Sequence, residues 1–241
     1  MKTNRAIVIV LLSGFFLLNS CIAILDDTIT GNGNVTTEIR TIDDFEGINS
    51  SAGLDVYVTF GEFSNEIEVV ADENLHEVIT TDVKNNILKI GVEEGIRRAK
   101  SKEIYVKAGS LRYVGASSAS NFEGKGVLEA DDLEVDVSSA ADLVVEIDCD
   151  EVKVDVSSSG TARLMGNARK MKANVSSAGD LVAYDLKTKI CDIECSSAGD
   201  ASIHVTEELK ANASSAGNIS YRGNPKRTSV ESSSAGDIDK R

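Results

Sequence analysis

Ser176-Ser177-Ala178-Gly179-Asp180 and Ser196-Ser197-Ala198-Gly199-Asp200 are one pentapeptide met twice, with first serines twenty residues apart. The same turn continues as Ser214-Ser215-Ala216-Gly217 and Ser233-Ser234-Ala235-Gly236. Earlier versions read Ser117-Ser118-Ala119-Ser120, Ser138-Ser139-Ala140-Ala141 and Ser157-Ser158-Ser159-Gly160. From Ser117 onward the first serines are spaced by 21, 19, 19, 20, 18 and 19 residues. A steady period near twenty marks one supersecondary unit stacked on copies of itself, because such a unit cannot bury its apolar face alone.

The residues before each turn alternate strictly. They read Leu133-Glu-Val135-Asp-Val137, Val152-Lys-Val154-Asp-Val156, Met171-Lys-Ala173-Asn-Val175, Cys191-Asp-Ile193-Glu-Cys195 and Leu209-Lys-Ala211-Asn-Ala213. Period two is a strand with one buried face. A second strand follows each turn, with inward Leu143/Val145, Ala162/Leu164, Leu181/Ala183, Ala201/Ile203 and Ile219/Tyr221. Equivalent strands stacked in one direction make an all-β, single-stranded parallel β-helix with coils of about 18–21 residues. Gly160, Gly179, Gly199, Gly217 and Gly236 are expected at positive φ in the turns, where glycine costs least. The paired serines are expected to stack, with hydroxyls bonding each other or the turn backbone. Their first reading is therefore structural.

Outward residues pair across layers. Glu134–Lys153, Lys172–Asp192 and Asp192–Lys210 should form charge ladders, each exposed pair worth about 0–1 kcal/mol. Asp180, Asp200, Asn218 and Asp237 follow the turn glycines and form an oxygen column that is either a set of turn caps or a weak Ca²⁺ site. Residues 35–116 read as irregular N-terminal coils and cap, with strands near 35–40, 54–60, 66–70, 86–92, 102–106 and 111–115. Asp72 to Thr80 reads as a short helical or irregular corner. Ser50-Ser51-Ala52-Gly53 suggests an early coil, although Leu54, Val56 and Val58 are out of step by one position. Gly95-Ile-Arg-Arg-Ala-Lys100 reads as an exposed basic loop. Residues 117–241 form the regular repeat.

The chain opens on Lys2 and Arg5 followed by an apolar run from Ala6 to Leu18. That run is too short to span a bilayer and fits a secretory signal over residues 1–20. It leads into Leu18-Asn19-Ser20-Cys21, which resembles the lipobox of bacterial lipoproteins and implies cleavage before Cys21 and acylation of that residue. Residues 21–34 then form the lipidated cysteine and a polar tether. The expected place is the bacterial envelope, at the outer rather than the inner membrane, with Cys21 as the membrane contact.

The sequence carries 25 Lys+Arg against 39 Asp+Glu, a net charge of −14. Removing residues 1–20 takes away two basic residues, leaving −16. Nucleic acid is a disfavoured partner, since its binders present basic surface. Cys149, Cys191 and Cys195 are odd in number and read as buried free thiols, with Cys191 and Cys195 too far apart along one strand to bridge. His76 and His204 have no Cys or His at ligand spacing, and no cofactor, metal or catalytic residue is assigned.

Together, Arg40…Phe45-Glu-Gly47-Ile48, Val56-Tyr-Val58, Asn86-Ile-Leu88-Lys-Ile90 and the Ser-Ser-Ala-Gly-Asp run resemble the adhesin family that carries the head GIN domain. The resemblance covers nearly all of residues 31–241. It implies a right-handed β-helix and a role in adhesion, and brings no catalytic residues. The leading expectation is a non-enzymatic surface binding or scaffold module whose partner is a glycan or a protein. The alternative is a carbohydrate-active β-helix, against which stand the missing groove loops, the absence of Trp and the scatter of Tyr113, Phe122, Tyr184 and Tyr221. The last coil looks incomplete at Asp237–Arg241, so a monomer or weak end-to-end dimer is expected, with charge opposing association.

Overall fold

A computed structural model describes residues 28–241. The expected signal segment and Cys21 lie outside these residues. The N-terminal strands are β1 (Thr28–Thr30), β2 (Val35–Thr41), β3 (Gly47–Ser50), β4 (Asp55–Phe60), β5 (Glu66–Asp72), β6 (Ile79–Lys84), β7 (Ile87–Val92), β8 (Gly95–Arg98), β9 (Lys102–Ala108) and β10 (Tyr113–Ala116). The repeats give β11 (Asn121–Val137), β12 (Asp142–Val156), β13 (Thr161–Val175), β14 (Asp180–Cys195), β15 (Asp200–Ala213), β16 (Asn218–Arg222), β17 (Arg227–Ser232) and β18 (Asp237–Lys240). Parallel coils stack into a β-solenoid of about seven turns.

The expected columns are the observed ones. Leu133, Val152, Met171, Cys191 and Leu209 pair in register, as do Val135, Val154, Ala173, Ile193 and Ala211. Every one of these residues is buried. Burying a large aliphatic side chain is worth roughly 1.5–3 kcal/mol, so these columns outweigh the outward ladders.

The turns differ from expectation. Gly160, Gly179, Gly199, Gly217 and Gly236 are not at positive φ; the second and third residues of each turn are. Ser197 and Ala198 have φ of 51° and 59°, and Ser215 and Ala216 have 50° and 61°. The fourth residue then closes the turn, its N–H donating to the first serine's carbonyl (Gly199 to Ser196, 2.9 Å). Ser120 and Ala141 hold this place in two earlier coils, but at Gly179, Gly199, Gly217 and Gly236 glycine is needed for room. A Cβ on Gly217 would lie 2.5 Å from the carbonyl oxygen of Cys195, in the coil before it.

Two αL residues without glycine cost about 1 kcal/mol or more each. Stacking offsets this cost through the backbone. The third residue's N–H donates to the second serine's carbonyl of the next coil, as in Ala178 to Ser197 and Ala198 to Ser215, both 3.1 Å. Between the regular coils the turns are thus joined by amides rather than by serine hydroxyls.

The first coil resolves the one-residue offset. Ser50 pairs with Ala116, not with Ser117. Its αL residues are Ala52 and Gly53, and Leu54 takes the place of Ser120. Val56 then falls in register with Phe122 and Leu143. Ser50 is consequently inside, fully buried, with its Oγ 3.0 Å from that of Ser120.

The N-terminal cap is an antiparallel addition. β2 pairs with β5, β5 with β9, and β6 with β7, all antiparallel. A 3-10 turn over Glu73–Leu75 makes the expected corner. The basic segment is strand rather than loop: β8 pairs in parallel with β1. Residues 28–34, expected within a polar tether, are held to the body. Gly33 N–H donates to Asp72, Asn32 N–H to Asn74, and the Asn74 amide to the Thr30 carbonyl.

Candidate functional site

Outward positions form ladders with a spacing of one coil. Lys153 Nζ lies 2.6 Å from Glu134, Arg169 bonds Asp150 through two nitrogens at 2.6 and 2.7 Å, and Lys170 lies 3.0 Å from Glu151. Asp192 pairs with Lys210 at 3.2 Å, and Arg227 with Glu208 at 2.5 Å. These pairs are mostly exposed, so they fix orientation more than stability.

One place on this surface concentrates charge. Asp136 and Asp155 are neighbours in one column, and Glu134 stands two residues before Asp136. Carboxylate oxygens of all three lie within 4.8 Å of one another. Lys153 spans Glu134 and Asp155, at 2.6 and 3.1 Å, and the Asn174 amide donates to Asp155 at 2.8 Å. In the coil before, Gly115 carries no side chain, and the Tyr113 ring folds over it. The Tyr113 hydroxyl thereby takes the seat next to Asp136. Burial, then the Asp136 carboxylate, push the Tyr113 phenol up to about 12. Burial, Glu134 and Asp155 raise Asp136 above the ordinary aspartate value. Tyr113, Asp136 and Asp155, with Asn49, Ser117, Ser138 and Ser157, line a cavity of about 420 Å³.

The oxygen column that follows the turn glycines is present. Asp180, Asp200, Asn218 and Asp237 are in register. The Asn218 amide donates to Asp200 at 2.8 Å, which links neighbouring coils along the column. Asp180 is raised by burial and by Asp200.

Cys149, Cys191 and Cys195 are buried free thiols. Burial pushes Cys149 up to about 12 and Cys195 to about 11, and it raises Cys191 as well. A thiol held protonated is neither a nucleophile nor a good metal ligand. The noted aromatics are accounted for by packing. Phe122 is buried, Tyr221 is partly buried, and Tyr184 lies beneath the Arg222 guanidinium, 4.0 Å from its ring centre.

A pair outside the repeats had no sequence signal. Tyr57 on β4 and Tyr105 on β9 are register partners whose rings stack, centroids 5.1 Å apart and 20° from parallel. Tyr105 is 40 % exposed.

Residues 44–225 match the family described as "Putative auto-transporter adhesin, head GIN domain". The chain belongs to the head GIN domain family. Several solved structures have a similar fold. One is a putative adhesin of Bacteroides fragilis, with TM-score 0.83, 19 % identity, and cover of 88 % of this chain and 100 % of the other. A putative adhesin of Parabacteroides merdae has TM-score 0.70 and 27 % identity, covering 90 % and 100 %. A putative lipid binding protein of Parabacteroides distasonis has TM-score 0.72 and 21 % identity, covering 89 % and 99 %. No curated protein sequence matches the chain. Among the described residues no helix is long and apolar enough to cross a membrane.

Proposed function

We propose that the chain is a non-enzymatic binding module of the bacterial cell surface, carried on a lipid at Cys21. The observation that carries this reading is membership of an adhesin family over residues 44–225. The surface supports it. Coil after coil presents outward side chains in ladders that are already hydrogen-bonded, which suits a rigid face for recognition. The lipid anchor rests on Leu18-Asn19-Ser20-Cys21 after the apolar run. Several acyl chains hold a protein to a bilayer far more firmly than one.

Two measurements test this reading. Cells expressing the chain should adhere to glycan-coated or protein-coated surfaces more than cells lacking it, and the soluble chain should compete. Cys21→Ala should abolish labelling by palmitate and release the chain from membranes. Continued labelling, or unchanged membrane association, would remove the anchor from the reading.

A second reading is a carbohydrate-active β-helix, and Glu134, Asp136 and Asp155 favour it. A carboxyl with a raised pKa beside a second carboxylate is the arrangement of glycoside hydrolysis. Lys153 ranks it lower, since its ammonium bridges Glu134 and Asp155 where a sugar would have to enter. Turnover of a polysaccharide that is lost in both Asp136→Asn and Asp155→Asn would put this reading first.

A further inference from the structure

The outer face of the N-terminal cap carries a site of a different kind from the charged ladders. Residues Ile39, Glu68, Tyr105 and Tyr57 follow one another across β2, β5, β9 and β4 as register partners. One face of the Tyr105 ring stacks on Tyr57. The Tyr105 side chain also borders a cavity of about 370 Å³, lined among others by Ile39, Thr59, Glu66, Glu68, Tyr105 and Lys107. The Tyr105 hydroxyl donates to Glu103 at 2.6 Å, and together with the Tyr57 stack this fixes the ring's orientation. Ile39, 58 % exposed, adds an aliphatic surface to the cavity that the Tyr105 ring also lines.

We infer that this cavity binds a neutral pyranose of a surface glycan. The inference rests on the adhesion reading above for its biological setting, and on side-chain chemistry for the ligand class. A pyranose has one face of C–H groups and an equatorial rim of hydroxyls. The C–H face suits an immobilised tyrosine ring with an aliphatic neighbour. Each hydroxyl is both donor and acceptor, and the rim offers both partners. The carboxylates of Glu66 and Glu68 accept; the Lys107 ammonium and Thr59 hydroxyl donate. Charge sets the sign of the ligand. Glu66, Glu68 and nearby Glu103 outnumber Lys107, so an acidic sugar is repelled. The size suits one ring or two. A peptide strand cannot pair with the backbone of β5 or β9, because β5 is already paired with β2 and β9, and β9 with β4 and β5.

The full chain should be titrated with methyl β-glucopyranoside, methyl α-mannopyranoside, N-acetylglucosamine and glucuronate. Saturation-transfer NMR and tyrosine fluorescence are the readouts; the chain has no Trp to mask the latter. At least one neutral sugar should bind, with a dissociation constant on the order of 1 mM, and glucuronate should bind more weakly. Tyr105→Ala should weaken binding by about tenfold, whereas Tyr105→Phe, which keeps the ring, should stay within about twofold. Should Tyr105→Ala disturb the cap, Glu68→Ala leaves both rings and should weaken binding by about threefold to fivefold. Binding of no neutral sugar, preference for glucuronate, or indifference to both alanine variants would overturn the inference. Cell adhesion separates it from the wider reading. Adhesion that persists undiminished in Tyr105→Ala overturns the pyranose site as the adhesive one. Sugar binding at Tyr105 without any adhesion by the wild type upholds the site and overturns the adhesive role.

Discussion

The carboxylate of Asp72, 1 % exposed, accepts the backbone N–H of Gly33 at 2.9 Å from 39 residues away. The same carboxylate accepts the N–H groups of Lys100 and Ser101, both at 3.1 Å. Burial alone would raise its pKa. The bonds from Gly33, Ser101 and Lys100 and the charge of Lys100 outweigh burial, and the group sits below the ordinary 3.8. An acid with a depressed folded pKa stabilises above its unfolded value, and the contribution is lost as pH falls through the folded value. Asp72→Asn should cost about 1–3 kcal/mol at pH 7. Urea melts taken at successively lower pH should show the wild type approaching the variant below pH 3.8. A gap that stays constant down to pH 2 would count against the ionised cradle.

Opposite effects are expected at adjacent turn residues. Gly217→Ala forces a Cβ against the carbonyl of Cys195 and should destabilise by about 1–3 kcal/mol, as overpacking does. Ala216→Gly relieves an alanine at φ 61° and should be neutral or stabilising by up to about 1 kcal/mol. Thermal melts of the two variants check this, and a stabilising Gly217→Ala would show that glycine serves some other purpose.

Ile193 and Asp192 test the register. Ile193 is buried between Ala173 and Ala211, whereas Asp192 faces out toward Lys210. Ile193→Asp buries an unpaired carboxylate and should destabilise by several kcal/mol, enough to abolish folding of that coil. Asp192→Ala should stay within about 1 kcal/mol. Equal losses in denaturant melts would refute the assignment of faces.

Asp136 should behave in the reverse sense to Asp72. Its folded pKa is raised by burial, Glu134 and Asp155. Such an acid binds its proton more tightly when folded, so stability is lost as pH rises through the window above the unfolded value. Asp136→Asn should therefore be more stable than the wild type at pH 7 and indistinguishable from it near pH 3. Chemical denaturation at both pH values checks the sign; a variant less stable at pH 7 would mean the carboxylate makes a favourable contact there.

The repeat region was legible because two periods agree in it, the alternation of strands and the spacing of turns. Leu133 to Leu209 and Val135 to Ala211 could be aligned from the turn alone. The same tetrapeptide misled at Ser50, where letters match but the apolar face arrives one residue late. Val56 carried the better signal, since it must share a face with Phe122. The role of the turn glycines is not legible in the sequence, which shows the residue type but not which neighbour stands a coil away. Glu134, Asp136 and Asp155 could have been found by following a second outward column beside the one that starts at Glu134. Tyr57 and Tyr105 could not. Their strands meet only through the cap's lateral pairing, which has no period to read.

The amide that leaves each turn toward the next coil makes the coil, rather than the residue, the natural unit of alteration. Any coil ending in this turn presents the same carbonyl to its predecessor and the same N–H to its successor. A nineteen-residue block such as 157–175 could be excised or duplicated with both new neighbours matched. Each block would change the height of the stack by about 4.8 Å. Reach is thereby separable from recognition: the column can be lengthened like a mast while the cap at its N-terminal end keeps its own surface unchanged.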